Sequence, residues 1–515
     1  MASSFHDILA QAAAPDFRTH ARTMLLDAES NLAAIEARIA ELFLERELER
    51  GRIAALKYLA APIRILPADL LAELFVATAL ASASEERAAV QLSAVCAYWR
   101  QIALRTPRLW AAGLSFKFAK RPAAGYLERK TEVVRRSGAA PLNVIIRSSN
   151  QGPWSQRARD PEDGKKLVRL ALSTAERWRD LDCSVDIVPY LQPNVKFRFL
   201  QKLVLESYGR IEGPAERVSA FSDSPVLSHV EWQTPYLLDH IVLPWNQLTT
   251  LVFTHLHPHS ANEPTRILDT LSLCSSIVHL QVNLGCWTVN VPEPNTEDIV
   301  SLPNLTSIHL SAEIRHLHSA DPTMLSPLFG RFAAPTLTEL HIEDEEGHTG
   351  DYLDAAFARF VTRSPLLVDL EIELCSLSSN EFIAILEAAP RLTRLRVFSA
   401  YDAIEDRVLR LLTDVPGTTT APLAPRLQHI TLESIGGEYK VKALLAMLRS
   451  RWYTTPTSRV AKLQSFDLVS HYDSPRGYTM GQRAEIDRME EEGLDISVDG
   501  TEWPEVESDA DESGG

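Results

Sequence analysis

The chain has 515 residues, of which 45% are apolar and 23% charged, so it can bury a large core without disulfides or a structural metal. Its 68 acidic residues outnumber the 52 lysines and arginines, which argues against a protein whose main role is to neutralise phosphates. The five cysteines are scattered and form no C-x-x-C pair, which excludes a zinc ribbon and favours reduced thiols. The sequence shows neither the basic and apolar regions of a signal peptide nor an uncharged apolar run that could span a membrane. We therefore expect a soluble cytoplasmic or nuclear protein that binds neither nucleic acid nor membranes.

A heptad pattern of apolar residues marks the first segment, residues 1–60. Two columns repeat every seven residues from Leu25 to Leu56, and only Arg46 and Glu49 interrupt them. This pattern predicts a long amphipathic helix that ends near Pro62. Two arrangements are open at this stage: a coiled-coil homodimer through the apolar columns, or a helix that lies on its own chain.

The next segment, residues 61–115, predicts three helices. The signals for their starts are Pro67 in a first turn, an S-x-x-E capping box from Ser82 to Glu85, and Thr106 followed by Pro107 at the first helical position. The apolar face of the second helix is expected to hold Leu92, Val95, Trp99 and either Ile102 or Ala103. About 45 residues make a small core, so part of this apolar surface is expected to await a partner.

Residues 116–475 contain a repeated L-x-x-L-x-L pattern. Ten windows begin at Leu200, Leu227, Leu248, Ile277, Leu305, Leu337, Leu367, Leu392, Leu427 and Leu463. Weaker copies lie near Leu142 and Trp178, and helical stretches fill the gaps. Because each unit exposes an apolar edge that only a neighbouring copy can cover, the series predicts an α/β leucine-rich-repeat solenoid.

The last segment, residues 476–515, is strongly acidic. From Gly481 to the end there are 13 acidic residues and 2 arginines. So few apolar residues are not expected to offset the entropy of ordering the chain, and this segment is predicted to be a disordered tail.

The helical segment 61–115 carries a joint pattern of Leu66-Pro67, an L-L-x-E-L-F run, V-C-x-x-W-R and P-x-L-W. This pattern resembles an F-box, the module by which F-box proteins dock on the adaptor subunit of SCF-type cullin-RING ubiquitin ligases. Asp69 stands where the family more often has glutamate. Together with the heptad helix and the irregular repeats, the chain resembles a group of fungal F-box-like proteins.

The resemblance implies a function without catalysis or a cofactor. The chain would be the substrate-recognition subunit of such a ligase, bound to the adaptor, through it to cullin, and to an unknown protein substrate. The residues implied to form or support the adaptor-binding surface are Leu66, Pro67, Leu70, Leu74, Phe75, Val95, Trp99 and Trp110. The alternative for these residues is the core of a small helical domain. The alternative for the whole chain is a leucine-rich-repeat interaction scaffold without ligase function.

The strands of the repeats predict a second surface, because strand side chains alternate between the two faces of a sheet. The candidate substrate-binding residues project between the buried leucines and are His309, Glu339, His341, Asp369, Glu371, Arg394 and Arg396. They place acidic residues beside two arginines, which suits a polar partner of mixed charge. No metal site is predicted: His255, His257 and His259 alternate near Pro258 without an adjacent carboxylate. No catalytic motif is present either, so we expect that the chain is not an enzyme.

Overall fold

The structure is a computed structural model that shows a mixed α/β protein. It describes residues 17–82, 84–118, 125–148, 161–184, 188, 191, 195–206, 217–233, 240–254, 263–285, 299–313, 326–344, 355–373, 377–398, 403–419, 421–435, 439–470 and 478–498. The three histidines at 255, 257 and 259 and the end of the acidic segment, 499–515, lie outside these residues.

A single long helix opens the described chain. Helix α1, Phe17–Ala60, has 44 residues and therefore a length of about 66 Å. Its side chains are exposed from Arg22 to Ala60, and the apolar members of the heptad columns are each 48–57% exposed. The arrangement in which this helix lies on its own chain is therefore wrong for the described residues. Within the described chain, no helix is both long enough and apolar enough to cross a membrane.

Four short helices follow α1. After a 3-10 turn at Pro62–Ile65 the helices are α2 Ala68–Leu80, α3 Glu85–Ala94, α4 Ala97–Arg105 and α5 Pro107–Ala111. The prediction of three helices is wrong at the second one, which breaks at Cys96. That residue is extended, with φ −158° and ψ 170°, and its Sγ caps α4 by accepting the Trp99 backbone N–H at 3.4 Å.

The predicted helix starts have different outcomes. Thr106 is the N-cap residue of α5 and Pro107 opens that helix, as predicted. The capping box is wrong, because the N-cap residue of α3 is Ser84. The Ser82 hydroxyl instead donates to the carbonyl of Thr78 at 2.7 Å, in the last turn of α2.

A parallel sheet of 14 strands forms the body of the molecule, and its spatial order follows the chain. The strands of this sheet are β1 Leu114–Phe118, β2 Leu142–Ser148, β3 Trp178–Ser184, β4 Lys202–Glu206, β5 His229–Trp232, β6 Thr250–Phe253, β7 His279–Gly285, β9 Ser307–Glu313, β11 Glu339–Asp344, β12 Asp369–Glu373, β13 Arg394–Phe398, β14 His429–Ile435, β15 Ser465–Ser470 and β16 Asp495–Val498. Two short strands, β8 Val300–Ser301 and β10 Phe332–Ala333, pair with each other. The sheet begins within the segment assigned to the helical module, because Leu114 and Phe116 alternate into the core.

Helices lie between many of the strands. They are α6 Tyr126–Arg136, α7 Pro161–Leu172, α8 Glu263–Ser272, α9 Ser326–Arg331, α10 Ala355–Thr362, α11 Ser379–Ala388, α12 Asp406–Leu412, α13 Val441–Trp452 and α14 Met480–Glu491. The residues that open the ten L-x-x-L-x-L windows are all buried. They pack with apolar residues of the helices in one connected core that runs from Leu71 to Ile496.

A buried arginine fixes one of the connections between strands. Arg451 of α13 is fully buried and donates to the carbonyl oxygens of Leu412 at 2.9 Å, Leu423 at 2.7 Å and Ala424 at 3.2 Å. Burial lowers the pKa of Arg451 to about 10, so the guanidinium stays charged at neutral pH. Its hydrogen bonds hold the segment between α12 and β14, where Ala424 adopts a positive φ of 42°.

The prediction of a disordered tail is wrong over Met480–Val498. Helix α14 begins with a capping box between Thr479 and Gln482, and β16 extends the sheet by pairing in parallel with β15. The apolar residues are few, but Ile486, Met489 and Leu494 are all buried. Their placement against the last repeat strand outweighs the acidic composition of the segment, because burial depends on where apolar residues fall and not on their average number.

Candidate functional site

Helix α2 has one buried face and one exposed apolar face. Leu71 and Phe75 face the core and are at most 2% exposed. Leu70 and Leu74 are one helical turn apart and are 55% and 47% exposed. Side chains four residues apart lie on the same side of a helix, so these two leucines form an apolar strip that α2 presents to solvent.

Three more of the predicted adaptor-binding residues lie at or near the surface of the same helical segment. Pro67 is exposed just before α2, and Leu66 is partly buried against the core. Val95 is exposed at the break between α3 and α4, and α2 packs against both of those helices. We call Leu66, Pro67, Leu70, Leu74 and Val95 the apolar face of the helical segment.

The remaining three predicted residues support this face from inside. The ring of Phe75 packs against Trp99, with centroids 4.8 Å apart, and Trp99 is partly buried. Trp110 is buried, and its indole N–H donates to the carbonyl of Ala103 at 2.7 Å. Phe75 and Trp110 are therefore core residues, and a partner protein could not contact them without unfolding the segment.

Contacts tie the helical segment to the sheet region behind it. The guanidinium of Arg136, on α6, lies 4.5 Å from the centroid of the Trp110 ring. Lys130 of α6 pairs with Glu86 of α3 and is buried, and desolvation lowers the pKa of this lysine despite the partner carboxylate. These contacts fix the orientation of the apolar face relative to β1 and α6.

The candidate residues on the sheet lie in adjacent rows across neighbouring strands. His309, His341, Glu371 and Arg396 are aligned partners on β9, β11, β12 and β13. Two residues earlier on each strand, Glu339, Asp369 and Arg394 form a second aligned row. Because side chains alternate along a strand, both rows project to the face opposite the buried leucines. The structure therefore brings all seven candidate residues onto one surface, which we call the polar rows.

The two histidines share one carboxylate. Nε2 of His309 lies 2.9 Å from Oε1 of Glu343, and Nε2 of His341 lies 3.4 Å from Oε2 of the same side chain. The imidazole rings are stacked, with centroids 4.4 Å apart and planes 15° apart. Burial lowers the pKa of His341, and the nearby carboxylates of Glu371 and Glu343 offset part of this effect.

The two arginines of the polar rows pair with two of the three carboxylates, Asp369 and Glu371. Arg396 Nη2 lies 2.5 Å from Oε2 of Glu371 and 3.5 Å from Oδ1 of Asp369. Arg394 Nη1 lies 3.3 Å from Oδ2 of Asp369. A charged partner would have to compete with these ion pairs, so such a surface selects among partners more than it adds affinity.

Among the described residues, one group of three could supply ligand atoms to a metal ion: His309, His341 and Glu343, whose ligand atoms all lie within 4.8 Å of one another. An ion bound by an imidazole lies in the plane of the ring, and the two nearly parallel stacked rings direct their lone pairs side by side. Arg396 also lies close enough to lower the pKa of His341. The geometry favours a hydrogen-bonded network around Glu343 over a cation site.

Two polar contacts of the sheet were not predicted. Glu343 flanks the candidate residues in the sequence, as part of an acidic patch from Glu339 to Glu373, but its contact with both histidines was not expected. A second network joins Arg147 of β2 to Asp182 of β3 at 2.5 Å and to Glu206 of β4. Two of its three strands, β2 and β3, carry the weaker copies of the L-x-x-L-x-L pattern, so the sequence does not predict which residues of these strands are aligned.

Comparison with known proteins adds no assignment: no protein-family model matches this chain, and no curated protein sequence matches it. The functional proposal therefore rests on the residues and the geometry described above.

Proposed function

We propose that this chain is a non-catalytic substrate-recognition subunit of an SCF-type cullin-RING ubiquitin ligase. In this proposal residues 61–111 act as an F-box-like module that docks on the adaptor subunit. The 14-stranded sheet and its helices act as a leucine-rich-repeat solenoid that binds a protein substrate through the polar rows.

The observation that carries the proposal is the exposed strip of Leu70 and Leu74. Both leucines belong to the L-P…L-L-x-E-L-F pattern that resembles the F-box, and about half of each side chain is open to solvent. A helix that buries one apolar face and exposes another suits a surface that is completed by a partner. If the chain were a scaffold without a ligase link, nothing would require this strip to stay uncovered, and α1 would be free to bury it.

The sheet supports the second half of the proposal. Consecutive strands are neighbours in space, all are parallel, and the L-x-x-L-x-L windows are aligned from strand to strand. In a solenoid each repeat contacts only its neighbours and leaves one long surface for a partner. In the proposal the polar rows, with acidic and basic residues interspersed across neighbouring strands, would form part of that surface.

The mechanism would be proximity. The helical segment would fix the chain to the ligase while the sheet holds the substrate, so that the substrate meets the ubiquitin-loaded enzyme at a high effective concentration. The chain itself would need no nucleophile, general base or metal. Its contribution to the rate would come from binding and orientation alone.

The test is the affinity of the full chain for the purified ligase adaptor. The double variant Leu70→Ala, Leu74→Ala is expected to bind at least about 10-fold more weakly, because each leucine would bury its remaining exposed surface on docking. Leu80→Ala is the matched control, since Leu80 lies on the same helix and is 52% exposed but points about 80° away from Leu70. Salt is expected to have little effect on the affinity, as for an apolar contact.

Failure of the folded full chain to bind the adaptor would contradict the ligase proposal and leave the interaction scaffold as the function to test. Equal loss of affinity in Leu80→Ala and in the double variant would contradict the assignment of the strip, because it would show that α2 contributes through its general stability.

A further inference from the structure

Helix α1 exposes an apolar stripe with two charged residues at its centre. The stripe holds Leu25, Ala28, Leu32, Ile35, Ile39, Leu42, Arg46, Glu49, Ile53 and Leu56 in alternating a and d heptad positions. None of these residues is covered by the fold. An apolar stripe of this length on a solvated helix is what a coiled-coil partner buries. The identity of the partner can be read from the two charges, because a buried charge must meet an opposite one.

A parallel pair of such helices would oppose identical residues at every layer. Arg46 would face Arg46 of the second copy, and Glu49 would face Glu49. At the flanking g and e positions Arg52 would face Lys57 of the second copy, whereas Glu45 would face Arg50 favourably. The contacts of Arg46, Glu49 and Arg52 place like charges together in or beside the buried stripe, which is destabilising and outweighs the one favourable flanking pair.

An antiparallel pair opposes a positions with d positions, and one register resolves both charges. When Arg46 faces Glu49 of the second copy, the two-fold axis places Glu49 against Arg46 of that copy. The neighbouring layers then become Leu42 against Ile53 and Ile39 against Leu56, repeated on both sides of the axis. Every layer from residue 39 to residue 56 is either apolar or an ion pair.

The flanking positions agree with the same register. In an antiparallel pair e faces e and g faces g, which places Glu45 against Arg52 and Glu36 against Lys57 of the second copy. Phe43 meets Arg50, a contact of the cation–π type. The core layers alone select this register, so the complementary charges at the e and g positions support it independently.

Other antiparallel registers leave charges unpaired. The register that aligns the full stripe from Leu25 to Leu56 would place Arg46 against Ile35 and Glu49 against Leu32. Four charges would then be buried without a partner in each dimer, which costs more than the additional apolar contact near Leu25 returns.

We propose that α1 is a homodimerisation element that pairs with α1 of a second copy in an antiparallel coiled coil centred on Arg46 and Glu49. In the separate chain these two residues make exposed contacts on α1 itself: Arg46 with Glu47 and with the Phe43 ring, and Glu49 with Arg52. The pairing leaves the ends of the two helices, at Ala60, about 38 Å apart on opposite sides of the axis. Residues 17–34 of each α1 would extend past Ala60 of the second copy, so Leu25, Ala28 and Leu32 lie outside the paired region.

The first test is the mass of the full chain by sedimentation velocity. The wild-type chain is expected to have twice the 57.4 kDa mass of one copy. Leu42→Glu is expected to shift it to the single-copy mass, whereas the matched control Leu44→Glu, an exposed f position on the opposite side of α1, stays dimeric. A wild-type chain with the mass of one copy at micromolar concentration would overturn the proposal.

Charge reversal tests the direction and the register. Arg46→Glu and Glu49→Arg are each expected to weaken dimerisation by at least about 100-fold, because each one opposes like charges, and the double reversal is expected to restore it. In a parallel dimer each reversal would only exchange one pair of like charges for another, so unchanged dimerisation in the single variants would overturn the antiparallel arrangement. Because these side chains are exposed on α1 and contact nothing in the core, the circular dichroism spectrum of each variant should differ from that of the wild-type chain by no more than the signal of α1.

Cysteine cross-linking gives an independent check. A mixture of Ile39→Cys and Leu56→Cys chains is expected to form a disulfide between the two variants, while each variant alone forms none beyond the wild-type background. Cross-linking of either variant with itself would place identical residues together and overturn the proposal.

Discussion

Leu74 and Phe75 are neighbours in sequence, yet the structure predicts opposite consequences for their truncation. Phe75 is 2% exposed and packs against Trp99, whereas Leu74 is 47% exposed. Truncating a core phenylalanine to alanine costs about 3–5 kcal/mol of unfolding free energy. A surface truncation such as Leu74→Ala is expected to change it by less than about 0.5 kcal/mol.

The expected effects on adaptor binding are reversed. Burying a whole leucine side chain contributes about 1.5–3 kcal/mol, and roughly half of Leu74 remains to be buried. Its truncation should therefore weaken adaptor binding by about 0.7–1.4 kcal/mol, a factor of about 3–10. Phe75 offers a partner almost no surface, so Phe75→Ala should leave the affinity of the folded molecules nearly unchanged.

Urea unfolding of the full chain measures the first effect, and titration calorimetry with the adaptor, at a temperature where both variants are folded, measures the second. A loss of more than about 2 kcal/mol of stability in Leu74→Ala would refute the description of Leu74 as a surface residue. An unchanged affinity in that variant would refute its part in docking.

Three further predictions concern the sheet region. Arg451→Met should lower the free energy of unfolding by about 3 kcal/mol, because the loss of three hydrogen bonds to carbonyl oxygens costs about 2 kcal/mol each and the relief of arginine desolvation returns about 3 kcal/mol. The control Arg449→Met, on the same helix but exposed, should cost less than about 1 kcal/mol. Equal losses of stability in urea for the two variants would contradict this prediction. Met489→Ala should cost at least about 2 kcal/mol if α14 is part of the core, and an unchanged urea midpoint would show that it is not. Because the pKa of His341 is lowered in the folded chain, the unfolded chain takes up the proton first as the pH falls through about 6.5, so the contribution to stability is full above that pH and decreases below it. The decrease of unfolding free energy with falling pH should be shallower in His341→Asn. An unchanged pH dependence in that variant would contradict the burial of His341 as its cause.

The repeats show how much of the fold the sequence predicts. Every L-x-x-L-x-L window fixes two or three buried positions on one strand, and alternation then fixes what lies between them. That rule predicts the alignment of His309 with His341 and of Glu371 with Arg396, which the structure shows. Hydrophobic periodicity specifies register strongly because a shift of one residue would expose a whole buried row.

The sequence was less informative where a local signal competed with an average one. The acidic composition after residue 476 concealed three well-placed apolar residues, Ile486, Met489 and Leu494. The apolar periodicity across Val95 concealed a helix break, because Cys96 takes an extended conformation and caps the next helix. Both errors arise because composition and periodicity describe windows, whereas caps and single buried contacts act at one residue.

The predicted docking residues show a third limit. Pattern resemblance placed Phe75 and Trp110 together with Leu70 and Leu74, but only the packing separates those that touch a partner from those that support the surface. That separation depends on neighbours distant in sequence, such as Arg136 beside the Trp110 ring. A single sequence does not reveal such neighbours.

The most direct measurement of the proposed function is reconstitution of the complex from the full chain, the adaptor and the cullin, analysed by size-exclusion chromatography with mass detection. We expect the chain to elute with cullin only when the adaptor is present, and we expect Leu70→Ala with Leu74→Ala to remove it from the complex while the chain stays folded. A folded wild-type chain that elutes apart from the adaptor and cullin would contradict the assignment as a ligase subunit.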